Sequence, residues 1–115
     1  MSTVSLQTLS AAEKAALTVF MARVRELLGS DLKSARLFGS RARGEGHEHS
    51  DLDIALVVAP PWRARRYEIY DLAYDIGFEH RVTLAPMVLE QPRFQDLKER
   101  ERLIVQEIER DGIPV

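Results

Sequence analysis

The strongest constraint on the fold is an apolar segment that starts at two aspartates and ends at two prolines. Residues 55–58 (Ala-Leu-Val-Val) follow Asp51 and Asp53 closely, and Pro60–Pro61 come directly after residue 59. A strand that is apolar on both faces must be covered on both faces, which is typical of the interior of a sheet. Two consecutive prolines cannot continue such a strand. Residues 51–59 are therefore predicted to form a central strand.

The rest of the chain supplies helices and two further strands around this segment. A capping-box pair, Ser10 and Glu13, precedes apolar residues at helical spacing, and Gly29 follows them as a stop signal. Pro86 would remove a ladder hydrogen bond, so the last strand is expected either to lie at a sheet edge or to carry a bulge. The predicted elements are helices at 10–28, 62–78 and 93–110, the last with a break near Lys98 and a stop at Gly112, and strands at 34–38 and 81–89. This order predicts an α/β or α+β domain around a small sheet.

Length and composition exclude several classes of protein. The chain has 115 residues, which suits one domain over residues 1–115 with a motif core at residues 30–90. The absence of cysteine excludes a disulfide scaffold, a zinc finger and thiol catalysis. A formal net charge of −2 gives no general basic field for coating nucleic acid. No apolar run reaches the roughly 20 residues of a membrane span, and residues 1–10 lack a secretory signal, so a cytoplasmic protein is expected.

The two aspartates predict a metal site. Residues two apart on a strand point to the same side, so the carboxylates of Asp51 and Asp53 converge on one patch. Like charges this close repel each other, and a bound divalent cation compensates for the repulsion. Mg²⁺ typically takes one or two carboxylates from the protein and completes its shell with water and phosphate oxygens. We therefore expect Asp51 and Asp53 to hold Mg²⁺ beside a phosphorylated substrate.

A glycine–serine turn upstream predicts the other half of this site. Gly39-Ser40 follows the first predicted strand, where glycine lets the backbone approach a ligand and exposed amides attract phosphate. Ser40 adds a hydroxyl donor, and Arg41 and Arg43 add positive charge suited to oxyanions. Residues 44–50 contain two glycines, which allow the chain to return as the neighbouring strand. The sequence thus predicts phosphate donors on one side and metal-binding carboxylates on the other.

Each of these features also has a purely structural interpretation. A glycine–serine pair is most often a simple turn, and two aspartates before an apolar run can be a solvated strand entry. Arginines are usually solvated, both in the turn and in a basic group formed by Arg63, Arg65 and Arg66. Aromatic side chains beside a helical apolar stripe are expected to pack against the core; here these are Trp62, Tyr67, Tyr70 and Tyr74. The combination of both motifs between two predicted strands favours the functional interpretation.

The combined motif is recognisable. Gly39-Ser40, ten intervening residues and Asp51-Leu52-Asp53 resemble the signature of the DNA polymerase β-like nucleotidyltransferase superfamily. The longer strings Gly-Ser-Arg-Ala-Arg-Gly and Ser-Asp-Leu-Asp-Ile-Ala are similar to those of the minimal nucleotidyltransferases, the MntA-like antitoxins. This resemblance implies a mixed sheet flanked by helices, two Mg²⁺ ions held by Asp51 and Asp53, and nucleotide phosphates held at Gly39 and Ser40. It also implies transfer of a nucleoside monophosphate, AMP from ATP, to a hydroxyl group.

The same resemblance implies a partner and shows one departure. The implied partner is a small helical ribonuclease toxin of the HEPN type, which the antitoxin neutralises in a hetero-oligomer, in some members by transferring AMP to a tyrosine. Active members carry a third carboxylate on a later strand, where this chain has Thr83; Glu79 and Glu90 flank that strand without matching the position. Three functions stay open: a transferase, an antitoxin that acts by binding alone and, with little support from the basic group, an RNA-binding module. Neither a membrane partner nor direct nucleic-acid binding is expected.

Overall fold

The computed structural model describes residues 8–45 and 51–115, so residues 46–50 of the predicted loop lie outside the described part. The first helix, α1 (Ala11–Leu28), begins at Ser10, whose hydroxyl accepts a hydrogen bond from the Glu13 amide. The Glu13 carboxylate accepts in turn from the Ser10 amide, which completes the predicted capping box. The predicted first helix and its stop at Gly29 are confirmed. One face of α1 is buried, and its apolar members are Ala16, Leu17, Phe20, Met21, Val24 and Leu28.

Four strands form one mixed sheet. They are β1 (Leu32–Phe38), β2 (Leu52–Val58), β3 (Leu84–Glu90) and β4 (Ile113–Pro114), in the spatial order β3-β2-β1-β4. Strand β1 runs antiparallel to β2 and β4, and β3 runs parallel to β2. The internal place of β2 and the edge place of β3 confirm the two strand predictions. Strand β4 is not expected from the sequence, in which residues 112–114 only mark the end of the last helix.

The second helix, α2 (Arg66–His80), is shifted relative to its prediction. A 3₁₀ turn over residues 62–65 precedes it, and it continues two residues beyond the predicted end. Arg81 then adopts a φ of 58°, and the Val82 amide donates to the Gly77 carbonyl at 2.9 Å. Residues 81 and 82 therefore cap α2, and β3 starts three residues later than predicted.

The last predicted helix is two helices, α3 (Gln91–Glu99) and α4 (Leu103–Asp111). Glu101 between them adopts a φ of 54°, which lies outside the helical region and interrupts the run of helical hydrogen bonds. The break lies close to the predicted one, and α4 ends at Gly112 as expected. Among the helices of the described residues, none is long and apolar enough to cross a membrane.

The sheet carries a separate apolar cluster on each face. On one face α1 and α2 pack against alternate side chains of β2, namely Leu52, Ile54, Leu56 and Val58. On the other face Ile104 and Ile108 pack with Phe38 and Ala55. Because side chains alternate along a strand, Asp53 shares its face with Ala55, on the side covered by α4. The fold thus leaves the predicted metal-binding carboxylates on the sheet face opposite to α1 and α2.

Candidate functional site

Gly39 and Asp53 meet where β1 ends and β2 begins. Phe38 pairs with Asp53 in the antiparallel register, so the chain leaves β1 at Gly39 directly beside the aspartate. Gly39 has a φ of +79°, and a Cβ built on it would lie 2.5 Å from Asp53 Oδ2. Glycine is required here because of the positive φ and because a side chain would displace the carboxylate. The structure thus brings together the glycine and the aspartate of the predicted site.

The segment after Gly39 is a short helical turn. The Gly39 carbonyl accepts hydrogen bonds from the amides of Ala42 (3.1 Å) and Arg43 (3.2 Å), and the Ser40 carbonyl accepts from Glu45 (2.9 Å). Within residues 8–45 and 51–115, no backbone carbonyl accepts from the amides of residues 40 and 41. Amides at the start of such a turn suit an anion when no backbone carbonyl uses them, and the half-buried Ser40 adds its hydroxyl. The turn therefore offers phosphate donors next to Asp53.

Asp53 carries its negative charge in an unfavourable environment. Its side chain is half-buried, whereas Asp51 is exposed just before β2. Burial raises the pKa of the Asp53 carboxyl above its ordinary value, and the negative charges of Asp51 and Glu107 raise it further. Glu107 lies on α4, and no motif in the sequence relates it to Asp53. Among the described residues, no cation lowers the pKa of Asp53, so the site concentrates negative charge there.

The donors at this point fit a hard divalent cation. Carboxylate oxygens are ligands that Mg²⁺ prefers, and Mg²⁺ usually takes one or two of them from a protein. A cation would also relieve the repulsion at the Asp53 carboxylate. In the described part of the chain, no three Asp, Glu, His or Cys side chains are grouped closely enough to hold a metal by themselves. Asp51 and Asp53 would therefore supply two ligands, with water and phosphate oxygens completing the shell.

Arg41 is buried inside the protein instead of facing a phosphate as predicted. Its guanidinium meets the Glu13 carboxylate, with Nη2 to Oε1 at 2.7 Å and Nε to Oε2 at 3.3 Å, and the two side chains are only 5% and 1% exposed. The same guanidinium donates to the backbone carbonyls of Thr8 (3.3 Å) and Glu45 (3.2 Å). These internal bonds use its donors. Arg41 thus ties the turn to the start of α1, which corrects the sequence-based assignment.

Arg43 lies on the exposed side of the same turn. It pairs with Glu45 at 3.1 Å and with Asp111, at the end of α4, at 3.4 Å. The hydrogen bond to Glu45 is the largest of the effects that raise the pKa of Arg43. The pKa of Asp111 is lowered by Arg110 first and by Arg43 in addition. Arg43 is therefore the arginine of this turn that remains accessible to an anionic ligand.

The position expected for a third carboxylate lies at the rim of the same site. Thr83 is exposed just before β3, and its carbonyl accepts a hydrogen bond from the first residue of β2 at 2.9 Å. In the parallel register Asp53 lies opposite Ala85. Glu90 lies opposite Val58, at the far end of β3, and so cannot take the place of the missing group. No carboxylate of β3 therefore stands beside Asp53.

The aromatic residues after the prolines divide into two groups. Trp62 is buried, and its Nε1 donates to Asp31 Oδ2 at 2.8 Å, which confirms the packing prediction for this residue. Tyr70 is half-buried on α2 and packs against the core. Tyr67 and Tyr74 are exposed, so the packing prediction is wrong for both. Of these four aromatic side chains, only two pack against the core, and the other two lie on the exposed side of α2.

The basic group that precedes α2 is engaged locally. Arg65 pairs with Glu68 at 2.6 Å, and its guanidinium lies 4.2 Å from the centre of the Trp62 ring. The Arg66 guanidinium lies 4.7 Å from the ring centre of Tyr67. The side chain of Arg63 lies outside the described part. The two described arginines therefore contribute to the packing of this segment.

Three known proteins or families are similar to this chain. The family model described as "Polymerase beta, Nucleotidyltransferase" matches residues 25–115. A protein of Methanocaldococcus jannaschii named "Putative protein adenylyltransferase" is 32% identical over 88 residues, which is 74% of this chain and 59% of that protein. This chain thus spans about three-fifths of the relative's length. A crystal structure of "a putative nucleotidyltransferase from Sulfolobus solfataricus" superimposes with a TM-score of 0.57 at 21% identity, covering 87% of this chain and 76% of that one. The predicted fold, a small mixed sheet flanked by helices, is confirmed.

Proposed function

Because the chain belongs to the polymerase beta nucleotidyltransferase family, we propose that it transfers AMP from ATP to a hydroxyl group of a partner protein in an Mg²⁺-dependent reaction. The observation that carries the proposal is the close approach of Gly39 to Asp53, which joins the phosphate-binding turn to a charged carboxylate. The archaeal relative's name, a protein adenylyltransferase, supports AMP as the transferred group and a protein as the acceptor.

The turn and the carboxylates have different tasks in this reaction. Gly39 lets the backbone approach the phosphates of the nucleotide, and Ser40 donates to a phosphate oxygen through its hydroxyl. Arg43, accessible on the outer side of the turn, adds positive charge. Asp51 and Asp53 would hold Mg²⁺, which when bound stabilises negative charge on the attacking and leaving oxygens.

The proposed transfer is an in-line displacement at the α-phosphorus. The acceptor hydroxyl loses its proton to solvent water and forms an oxygen–phosphorus bond, the bond between the α-phosphorus and the bridging oxygen breaks, and pyrophosphate leaves with that oxygen. The chain's own contribution is to position the triphosphate, so its rigidity matters. The buried contact between Arg41 and Glu13 supplies that rigidity, because it fixes the turn to α1.

We further propose that the acceptor is a tyrosine of a small helical HEPN-type ribonuclease toxin and that the chain acts as its antitoxin. The support is the similarity of the strings around Gly39 and Asp53 to those of MntA-like antitoxins. Adding AMP to a tyrosine places a bulky anionic group on the toxin, which would block an RNA-binding surface by charge repulsion. The chain and the toxin would form a hetero-oligomer.

The test is to express the chain with the product of its neighbouring reading frame and to add ATP and Mg²⁺. Intact mass of the partner should increase by one adenylyl group, and chelation of Mg²⁺ with EDTA should prevent the increase. Asp53→Asn should abolish transfer, whereas Glu26→Gln, a change of an exposed carboxylate on α1, should leave it unchanged. Transfer at the original rate by Asp53→Asn, or in EDTA, would refute the assigned roles.

A second candidate function is neutralisation by binding alone. It is favoured by Thr83 and Ala85, because no carboxylate of β3 stands where an active member has its third acidic group. This alternative predicts that a chain with both Asp51→Asn and Asp53→Asn still suppresses the partner's toxicity in cells. Loss of suppression in a double variant that remains folded, as judged by circular dichroism, would exclude it.

A further inference from the structure

Helix α2 exposes an unusual row of aromatic side chains, the aromatic stripe, formed by Tyr67, Tyr74 and Phe78. These residues are 61%, 71% and 78% exposed. Their spacing of seven and four residues places them on one face of the helix, and the rings of Tyr74 and Phe78 stack at 6.3 Å between centroids. Large apolar side chains clustered on a surface mark interaction sites.

Tyr74 and Phe78 of the aromatic stripe line a groove of about 840 Å³ between α2 and β3. Strand β3 forms an edge of the sheet, so no strand of the described residues lies along its outer side. Gly77 lets α2 lie close to the chain that leads into β3, because a Cβ on it would meet the Val82 carbonyl oxygen. Leu84 and Pro86 are apolar residues that line the groove, and Arg81 lines it as well. The groove therefore combines apolar walls with an open sheet edge.

A row of three acidic residues, Asp71, Asp75 and Glu79, runs along α2 beside the aromatic stripe. All three side chains are exposed and follow one another at intervals of four residues, which corresponds to about 6 Å along a helix. In residues 8–45 and 51–115, none of them has an ion-pair partner within 4 Å. Most other carboxylates of α1, α3 and α4, such as that of Asp96, do pair with arginine or lysine. The acidic row is thus available to positive charges from outside the chain.

We infer that the aromatic stripe and the acidic row together dock a basic amphipathic helix of a partner protein. Its apolar side chains would fill the groove and cover the aromatic rings, and lysine or arginine residues one helical turn apart would face the acidic row. Asp53 is not among the residues that line the groove, although Thr83, at the rim of the candidate site, is one of them. The inference therefore does not rest on the proposed transfer reaction.

Two other occupants fit the charges less well. A second copy of this chain that packs α2 against α2 in antiparallel orientation about a twofold axis would bring the same flank of each helix together. The acidic rows of the two copies would then face each other and repel. Nucleic acid is disfavoured for the same reason, because its phosphates would meet Asp71, Asp75 and Glu79. Charge complementarity selects a basic protein partner.

The test uses two synthetic helical peptides of about 20 residues with an identical leucine and alanine face. The first carries lysine on the flanks, and the second carries glutamate at the same places. Fluorescence anisotropy should show binding of the lysine peptide that weakens as salt is raised, and no binding of the glutamate peptide. Amide shifts in NMR spectra should map the bound lysine peptide to α2 and β3. Equal binding of both peptides, or shifts confined to other elements, would overturn the inference.

Two pairs of substitutions test the aromatic stripe and the acidic row separately. Tyr74→Ser combined with Phe78→Ser should weaken lysine-peptide binding about tenfold, as expected for central apolar contacts. Asp75→Asn combined with Glu79→Gln should weaken it roughly threefold and reduce its salt dependence. Leu103→Ser changes an equally exposed apolar residue on α4 and should have no effect.

All changed residues are exposed, so the variants should fold, which circular dichroism checks. Unchanged affinity in folded variants would overturn the inference, and so would sedimentation that shows a dimer of the original chain dissolved by Phe78→Ser. No nucleotide is present in these assays. A failed docking test is therefore distinguishable from a failed transferase.

Discussion

Substitution of Glu13 by glutamine would isolate the charge that Arg41 meets inside the protein. Glutamine also serves at this position of a capping box, so the start of α1 would keep its reciprocal hydrogen bonds. The guanidinium of Arg41 would remain buried next to a neutral amide, bonded to the carbonyls of Thr8 and Glu45. Breaking a buried ion pair by removing one partner costs about 3–5 kcal/mol. We expect a loss of about 3 kcal/mol for Glu13→Gln, since these carbonyl bonds remain.

The reverse substitution, Arg41→Met, should be more costly. It leaves the buried Glu13 carboxylate without its cation and removes the bonds to two carbonyls, each worth about 1 kcal/mol. We expect a loss of about 4 kcal/mol. The double variant Glu13→Gln, Arg41→Met contains no unpaired buried charge and should lose about 5 kcal/mol, so the two positions should show a coupling energy of about 2 kcal/mol.

Urea unfolding followed by circular dichroism measures these differences through the transition midpoint, provided that the slope is unchanged. The matched control is Glu68→Gln, which removes an exposed ion pair with Arg65 and should leave the transition midpoint nearly unchanged. Additivity of Glu13→Gln and Arg41→Met to within about 0.5 kcal/mol would refute the reasoning. So would a loss for Glu13→Gln no larger than that for Glu68→Gln.

Three further substitutions test the geometry of the site and of α2. Gly39→Ala should lower the free energy of unfolding in urea by about 1–3 kcal/mol and weaken ATP binding in calorimetry, because the added Cβ would meet Asp53. The control is Gly29→Ala, whose added Cβ would have no atom within 4 Å and which should leave ATP binding unchanged. Asp53→Asn should raise the thermal unfolding midpoint of the metal-free chain, because it removes a half-buried charge that other carboxylates repel. It should also abolish the increase in this midpoint on addition of Mg²⁺. A lower midpoint for the metal-free variant would contradict this. Gly77→Ala should cost more than about 2 kcal/mol in urea, because its Cβ would meet the Val82 carbonyl oxygen, and a neutral effect would show that α2 can shift.

Elements that depend on neighbours in sequence could be predicted closely. The Ser10 hydroxyl and Gly29 mark the ends of α1 because capping involves residues only a few positions apart. The internal place of β2 also follows from its own composition. The two residues of β4 could not be predicted, because Ile113 becomes a strand only through its pairing with Leu37, far away in sequence.

In the candidate site too, only part of the arrangement could be predicted from the sequence. The motif spacing predicts that Gly39 and Asp53 lie close together, and the register of β1 and β2 places them side by side. The sequence offers no sign of Glu107, because its effect on Asp53 depends on how α4 packs over the sheet.

Arg41 and Arg43 show most clearly what the sequence alone determines. It places two arginines in the predicted phosphate-binding turn, two residues apart, with nothing in composition or spacing to tell them apart. Only the tertiary structure decides that Arg41 is buried against Glu13, 28 residues away, while Arg43 stays accessible. Likewise, the apolar spacing of α2 selects its core-facing residues, but the exposure of Tyr74 depends on the edge position of β3. Burial and charge pairing are set by the segment that covers a side chain, and local periodicity carries no information about that segment.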